Sequence, residues 1–241
     1  MVQHKLFKGV ELAVANPKML AAFYETHFGM KSRDTGEGVE IFFDRQLSFV
    51  RLLQASKDAP PPSQAHERYW KIGVTLPDVD VAARMLTDAG VAASAPHQFE
   101  DIGYMSHLRD PEGFQIELLQ HTFLGQPKTS EGDKESALGG GTALGQVTLR
   151  TSDIERDLAL YRDTHGMRLL SIQPVRAYGF DLYFLTHSDD TPPNEDLKSV
   201  ENRPWLWQRP YCTLELQHIL GASETTEPKA GEVGYQGLIF E

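Results

Sequence analysis

Residues 9–31 read GVELAVANPKMLAAFYETHFGMK, and residues 146–168 read QVTLRTSDIERDLALYRDTHGMR. The two stretches align without a gap, and each runs from an alternating segment into a helix-like segment that ends in Gly-Met. A third and weaker copy, KIGVTLPDVDVAARMLTDAGV, begins at Lys71. Self-similarity of this kind indicates a structural unit that is repeated along the chain.

Local signals predict the same order of elements in each copy. Asn16 before Pro17 is a favourable start for a helix, and Ser152 with Glu155 has the spacing of a capping box. Short alternating segments typical of strands follow the helices: VEIFF, LSFVRLL, YMSHL, FQIELL, LYFL and CTLELQ. We therefore predict an α+β fold of repeated βαβββ units, three of them complete, followed by GYQGLIF as the first strand of a fourth.

Composition and charge narrow the classes of function. The chain has 241 residues, with 23 Lys and Arg against 34 Asp and Glu, which gives a net charge of −11. This charge disfavours binding to nucleic acids and to anionic membranes. Cys212 is the only cysteine, and no apolar run has the length of a membrane span or the form of a signal peptide. We expect a cytoplasmic protein with no nucleic-acid or membrane partner.

The length allows two compact domains, and a polar, glycine-rich stretch separates them in the sequence. We predict a first domain at residues 1–122, built from units at about 5–57 and 68–122. A flexible linker is expected at 123–144. The second region, 145–241, would hold a unit at about 145–220 and the start of the incomplete fourth unit.

The repeat resembles the unit of the vicinal-oxygen-chelate superfamily, which includes glyoxalases, bleomycin-resistance proteins and extradiol dioxygenases. The resemblance covers nearly the whole chain and implies that two units form one cup-shaped, eight-stranded mixed sheet around a site. On this basis 1–122 is the first cup, and the third unit belongs to a second. The third unit is closest to glyoxalase I, in the segments Gln146-Val-Thr-Leu-Arg150, His165-Gly-Met-Arg-Leu-Leu, Leu182-Tyr-Phe-Leu185 and Thr213-Leu-Glu-Leu-Gln-His218.

The resemblance to glyoxalase I implies a metal site and a reaction. Gln146 and Glu215 match two of the four ligands of a divalent ion, zinc or nickel, and Glu215 also becomes the candidate catalytic base. Arg150 matches an arginine that contacts a glutathione carboxylate. The implied activity is a metal-dependent lyase or isomerase acting on a hemithioacetal or a similar small oxygenated substrate, with a glutathione adduct as the small-molecule partner.

The residue pattern itself supports a polar site but leaves alternatives open. Strand alternation places Gln146, Thr148 and Arg150 on one face, so that Thr148 and Arg150 are candidate substrate-binding residues, although a solvated sheet face has the same pattern. Glu215 lies between leucines and would need a metal, an ion pair or exposure to water. Trp207 could line a pocket for an apolar part of the substrate or simply pack on the sheet.

The other two ligands of the second cup are not evident. The position of the family histidine falls on Tyr235, which is a poor ligand for zinc or nickel, and the remainder of the fourth unit would lie beyond Glu241. Either the chain is a shortened form of a longer protein, or a homodimer completes the second cup.

The first cup carries a different set of residues at the four equivalent positions: Gly9, Arg51, Lys71 and Glu117. Only Glu117 is a good metal ligand. We expect Arg51, Lys71 and Glu117 to form an ion-pair network in place of a metal, with an anion-binding pocket as the alternative.

Two other functions compete with the metalloenzyme. A small-ligand-binding protein of the bleomycin-resistance type needs neither a metal nor catalysis, and the altered ligand positions favour it. An extradiol dioxygenase ranks last, because it needs two histidines and a carboxylate, and Gln146 and Tyr235 stand at the histidine positions. Bound metal would separate the enzymes from the binding protein.

Overall fold

The computed structural model describes residues 5–44, 46–56, 67–222 and 224–241. The helices are α1 (Pro17–Phe28), α2 (Val79–Asp88), α3 (Ile154–Leu158, continued by a π-helical segment at Ala159–Thr164) and α4 (Asn202–Trp207). The strands are β1 (Phe7–Val14), β2 (Lys31–Asp34), β3 (Val39–Phe42), β4 (Phe49–Gln54), β5 (Tyr69–Leu76), β6 (His97–Phe99), β7 (Gly103–Arg109), β8 (Gln115–Gln120), β9 (Ala143–Thr151), β10 (Arg168–Val175), β11 (Phe180–Thr186), β12 (Thr213–Ile219) and β13 (Gly234–Phe240).

These elements confirm the predicted α+β fold and its three βαβββ units. The first unit is β1-α1-β2-β3-β4, the second is β5-α2-β6-β7-β8, and the third is β9-α3-β10-β11-β12. β13 stands where a fourth unit would begin. The strands form two curled mixed sheets, of order β13-β1-β4-β3-β2 and β10-β11-β12-β9-β5-β8-β7-β6.

The units pair differently from our prediction. We expected the first two units to share one cup, but the eight-stranded sheet joins the second unit to the third through antiparallel pairing of β5 with β9. The first unit instead pairs with β13. A close contact favours this arrangement: Gly73 lies opposite Gln146, and a Cβ atom on Gly73 would be only 2.3 Å from Cγ of Gln146. The missing side chain leaves the space that Gln146 fills.

The stretch at 123–144, predicted as a flexible linker, packs on α2. The Lys128 ammonium lies 2.6 Å from the Asp78 carboxylate, and Gly132 N–H donates to the same side chain. Gly132 also lies close to Val81, since a Cβ atom there would be 2.8 Å from the Cβ atom of that valine. The stretch therefore covers one face of the second unit rather than spacing two separate domains.

The helix starts agree with the sequence signals to within one residue. The Asn16 side chain accepts a hydrogen bond from Met19 N–H at 3.1 Å, which confirms it as the cap of α1. For α3, the prediction of Ser152 is wrong, because Asp153 accepts from Arg156 N–H at 3.0 Å. Both residue types cap helices well, so the sequence alone could not separate these neighbours.

Two clusters of buried apolar side chains pack against the sheets. The larger one packs the helices against the outer faces, and Cys212 is buried within it. The smaller one lies on the concave side of the eight-stranded sheet and includes Trp207 of α4. In the part of the chain that the structure describes, no helix combines the length and apolar character needed to span a membrane.

The turn after β7 joins the first unit to the second. The Asp110 carboxylate accepts a hydrogen bond from the Tyr24 hydroxyl at 3.0 Å and from the backbone N–H groups of Glu112 and Phe114. The Glu112 carboxylate in turn accepts from Ala15 N–H, just before α1. Asp110 is nearly inaccessible to water, and this burial raises its pKa to about 6.

We predict that Asp110 makes stability depend on pH. Its pKa is about 6 when folded and about 4 when unfolded, so the folded protein binds more protons between these values. The contribution of Asp110 to the free energy of unfolding is then largest below about pH 4 and falls by about 2–3 kcal/mol as the pH rises through 6. Urea unfolding of wild type and Asp110→Asn at several pH values would measure the difference.

The asparagine variant cannot ionise, so its stability relative to wild type should increase between pH 4 and pH 7. Asp189→Asn, which changes an exposed carboxylate, is the control and should show a difference that is nearly constant. A constant difference for Asp110→Asn as well would show that the prediction is wrong.

Candidate functional site

A cavity of about 250 Å³ lies in the concave face of the eight-stranded sheet, between the second and third units. Its walls are mainly apolar and aromatic, and both units contribute to them. The wall residues include Phe99, Met105, Leu119, Phe180, Phe184 and Trp207. A concave apolar cavity with a few converging polar groups is the usual form of a small-molecule site.

Four polar side chains form the floor of this cavity. Lys71 comes from β5, Glu117 from β8, Gln146 from β9 and Glu215 from β12, and these are the four central strands of the sheet. Each of the four is no more than 3% exposed. Groups of this polarity are rarely buried unless they are paired, so their contacts with each other account for their position.

The Lys71 ammonium lies among the other three floor groups. It forms an ion pair with Oε2 of Glu117 and lies 4.0 Å from Oε2 of Glu215. The Gln146 amide nitrogen donates to Oε1 of Glu117 at 2.8 Å and to Oε2 of Glu215 at 2.9 Å. Nε2 of His107 lies 2.9 Å from Oε2 of Glu117. One cation thus links carboxylates from the two units.

The two carboxyl groups differ in their affinity for protons. Burial alone would raise the pKa of Glu117, but the charge of Lys71 and the contact with His107 outweigh it and hold this pKa below the ordinary value. Burial raises the pKa of Glu215, and the negative charge of Glu117 adds to this effect. Glu117 is therefore the anion that neutralises Lys71, and Glu215 is the carboxyl group that takes up a proton more easily.

The structure brings most of the predicted site residues together. Gln146 and Glu215 meet on the floor, Thr148 donates its hydroxyl hydrogen to Glu215, and Trp207 forms part of the wall. Arg150 lies beside the cavity, outside the set of described residues that line it. Its guanidinium donates to the Gln217 side chain and stacks 5.0 Å above the ring of Trp70, which does line the cavity.

The predicted network of the first cup is only partly correct. Lys71 and Glu117 do form an ion pair, but Arg51 lies in the five-stranded sheet, where it contacts Glu40 at 2.9 Å and Glu11 at 2.8 Å. Gly9 is also in that sheet, at φ 148, where a side chain would collide with the carbonyl oxygen of Phe49. Arg51 and Gly9 therefore belong to a different face of the protein.

The prediction of which strands form the second cup was also wrong. Tyr235 lies in β13 opposite Leu12 and stacks on Tyr69, in the five-stranded sheet rather than beside Gln146. The strands β5 to β8 of the same chain complete the cup around Gln146 and Glu215. No partner subunit is required to close the cup.

Sequence reasoning missed that Lys71 and Glu117 share a site with Gln146 and Glu215. All four positions were identified, but they were assigned to two cups. One signal in the sequence pointed to the right pairing: Gly73 lies within an otherwise buried strand, and glycine at such a position marks the close approach of another group.

The four floor positions are those that the resemblance to glyoxalase I gives to metal ligands, and they do not fit a divalent ion. Three of them, Glu117, Gln146 and Glu215, carry oxygen atoms suited to a metal. The fourth carries the ammonium of Lys71, which already neutralises Glu117 and would repel a second cation. Among the described residues, no group of three or more His, Cys, Asp and Glu side chains is arranged to hold a metal ion.

Comparison with known proteins finds a family match for part of the chain. Residues 7–118 match the family model described as "Glyoxalase/Bleomycin resistance protein/Dioxygenase superfamily". The match spans 112 of the 241 residues, a little under half of the chain. No curated protein matches the chain.

Solved structures share the fold over almost the whole chain. Glyoxalase I from Zea mays is 19% identical and covers 97% of this chain and 73% of its own, with a TM-score of 0.68. A Bacillus subtilis protein with a provisional assignment as a dioxygenase is 13% identical and covers 97% of this chain and 69% of its own, with a TM-score of 0.55. At these identities the similarity shows the fold alone.

We predict that the Lys71–Glu117 pair is strongly coupled. Lys71→Met leaves the Glu117 carboxylate buried without its cation and should lower the free energy of unfolding by about 3–5 kcal/mol at neutral pH. The double variant Lys71→Met/Glu117→Gln removes both charges and should recover a large part of that loss. Urea unfolding of the two single variants and the double variant gives the coupling energy.

Lys31→Met is a matched control, because Lys31 pairs with Asp44 at the surface, where both side chains are about 60% exposed. This change should cost less than about 1 kcal/mol. Equal losses for Lys71→Met and Lys31→Met would contradict a tightly coupled buried pair.

Proposed function

We propose that this protein binds a small organic molecule in the cup without a metal ion, as a binding protein of the bleomycin-resistance type. The observation that carries the proposal is the position of Lys71. Lys71 stands at a position that the resemblance to glyoxalase I gives to a metal ligand, and its ammonium pairs with Glu117 and lies 4.0 Å from Glu215. The ammonium of Lys71, which is fixed in the chain, takes the place of an exchangeable metal ion.

The cavity is suited to binding in two respects. Its polar floor is already organised, because Gln146 and Lys71 hold Glu117 in place, so little ordering is needed when a ligand enters. Its aromatic and aliphatic walls offer apolar surface that a ligand can cover, which favours association.

A metal-dependent lyase or isomerase acting on a hemithioacetal or a glutathione adduct is the second candidate. It is supported by the convergence of Glu117, Gln146 and Glu215, since Gln146 donates to both carboxylates. The raised pKa of Glu215 would also suit proton transfer to and from this carboxyl group. The ammonium of Lys71 places this function second.

Metal analysis of the purified full chain tests the proposal, before and after treatment with a chelator and incubation with zinc or nickel. We expect wild type to retain less than about one-tenth of an ion per chain. Lys71→His replaces the ammonium with an imidazole, so it should bind about one nickel or zinc ion per chain and gain thermal stability when the metal is added.

Two variants serve as controls. Lys71→Met removes the cation without adding a ligand and should bind less metal than Lys71→His, and Lys71→His/Glu215→Ala should lose the gain. A stoichiometric ion in wild type, lost in Gln146→Ala and Glu215→Ala, would overturn the metal-free proposal. Hemithioacetal isomerisation would then be the activity to assay.

A further inference from the structure

The floor of the cavity holds one hydrogen-bond acceptor without a partner among the described residues. This acceptor is Oε1 of Gln146, on a side chain that is 1% exposed and that lines the cavity. The orientation of the amide is fixed, because its nitrogen donates to Glu117 and Glu215, and a flipped amide would set its oxygen against both carboxyl groups. A buried acceptor without a partner is costly, so a donor that reaches it is favoured.

The charges of the floor favour a neutral ligand. Lys71 is already neutralised by Glu117, so an anionic group would enter beside Glu117 and Glu215 without a cation of its own. A cationic group would meet the ammonium of Lys71. A neutral ligand brings no additional charge into a buried site.

The walls indicate the shape of the ligand. Phe180, Phe184 and Trp207 from the third unit line the cavity together with Phe99 and Met105 from the second. Aromatic and methionine side chains pack well against flat, apolar groups. The cavity of about 250 Å³ is large enough for a compact ring system and leaves the polar groups at one end.

Building on the metal-free binding proposed above, we propose that the cup selects a neutral ligand with a compact aromatic body and one hydrogen-bond donor, which binds Oε1 of Gln146. The donor group reaches the floor beside Lys71, and the body lies between the aromatic walls. Gln146 is then the residue that distinguishes a ligand with a donor from the same ligand without one.

A set of matched probes tests this selectivity by calorimetry on the full-length wild type. The probes share one ring system: 2-naphthol, 2-methoxynaphthalene, 2-naphthoate and 2-naphthylmethylammonium. We expect 2-naphthol to bind at least about 5-fold more tightly than the methoxy compound, which lacks the donor, and more tightly than both ions.

Gln146→Met keeps the side-chain length but removes the acceptor, together with the hydrogen bonds that the amide nitrogen donates to Glu117 and Glu215. It should reduce the preference for 2-naphthol over 2-methoxynaphthalene to about 1-fold. Gln173→Met is the matched control. Gln173 is also fully buried with an unpartnered Oε1, but it lies on β10 outside the wall of the cavity. This variant should keep the preference of wild type.

The other outcomes overturn the inference. Equal affinity for 2-naphthol and 2-methoxynaphthalene in wild type would mean that no donor is recognised, and tightest binding of either ion would contradict the neutral site. Binding of none of the four probes would exclude this ligand class. These results are separate from the metal analysis, since a protein free of metal could still fail to select 2-naphthol.

Discussion

The antiparallel pairing of β5 with β9 is the constraint on which the site depends. It sets Gly73 opposite Gln146 and so brings the floor residues of two units into one cavity. Without this pairing, Lys71 and Glu117 would face one space, and Gln146 and Glu215 another. The chemistry of the cavity thus follows from how two units associate, rather than from the content of either unit alone.

Much of the fold could be predicted because the repeat preserves its local signals. The cap at Asn16, the alternating strands and the Gly-Met ending of the first and third copies each point to the same βαβββ unit. The pairing of the units could not be predicted in the same way. Every unit offers a similar apolar pattern at its first strand, so the choice between partners depends on tertiary contacts such as that between Gly73 and Gln146.

The candidate site, like the fold, could be predicted only in part. Strand alternation predicted a polar face at Gln146, and a carboxyl group between leucines indicated that Glu215 needs a partner or water. The structure shows both side chains buried and hydrogen-bonded to each other. The sequence did not show that Lys71 and Glu117, which come from a different unit, would join them on one floor. The resemblance to glyoxalase I named the four positions, and the structure shows that one of them carries a cation of the chain itself. The positions of the site residues can therefore stay the same while one different residue changes the chemistry of the site.

The pairing of β1 with β13 also affects how the chain reaches its fold. Phe7 in β1 lies opposite Phe240 in β13, so one edge of β1 finds this neighbour only after all the intervening residues have been made. Contacts between residues so distant in sequence close a long loop and slow folding. During synthesis, the first unit can form β1 to β4 while that edge remains open to other strands. The newly made protein would then be prone to aggregation until β13 is added, because this edge is still unprotected.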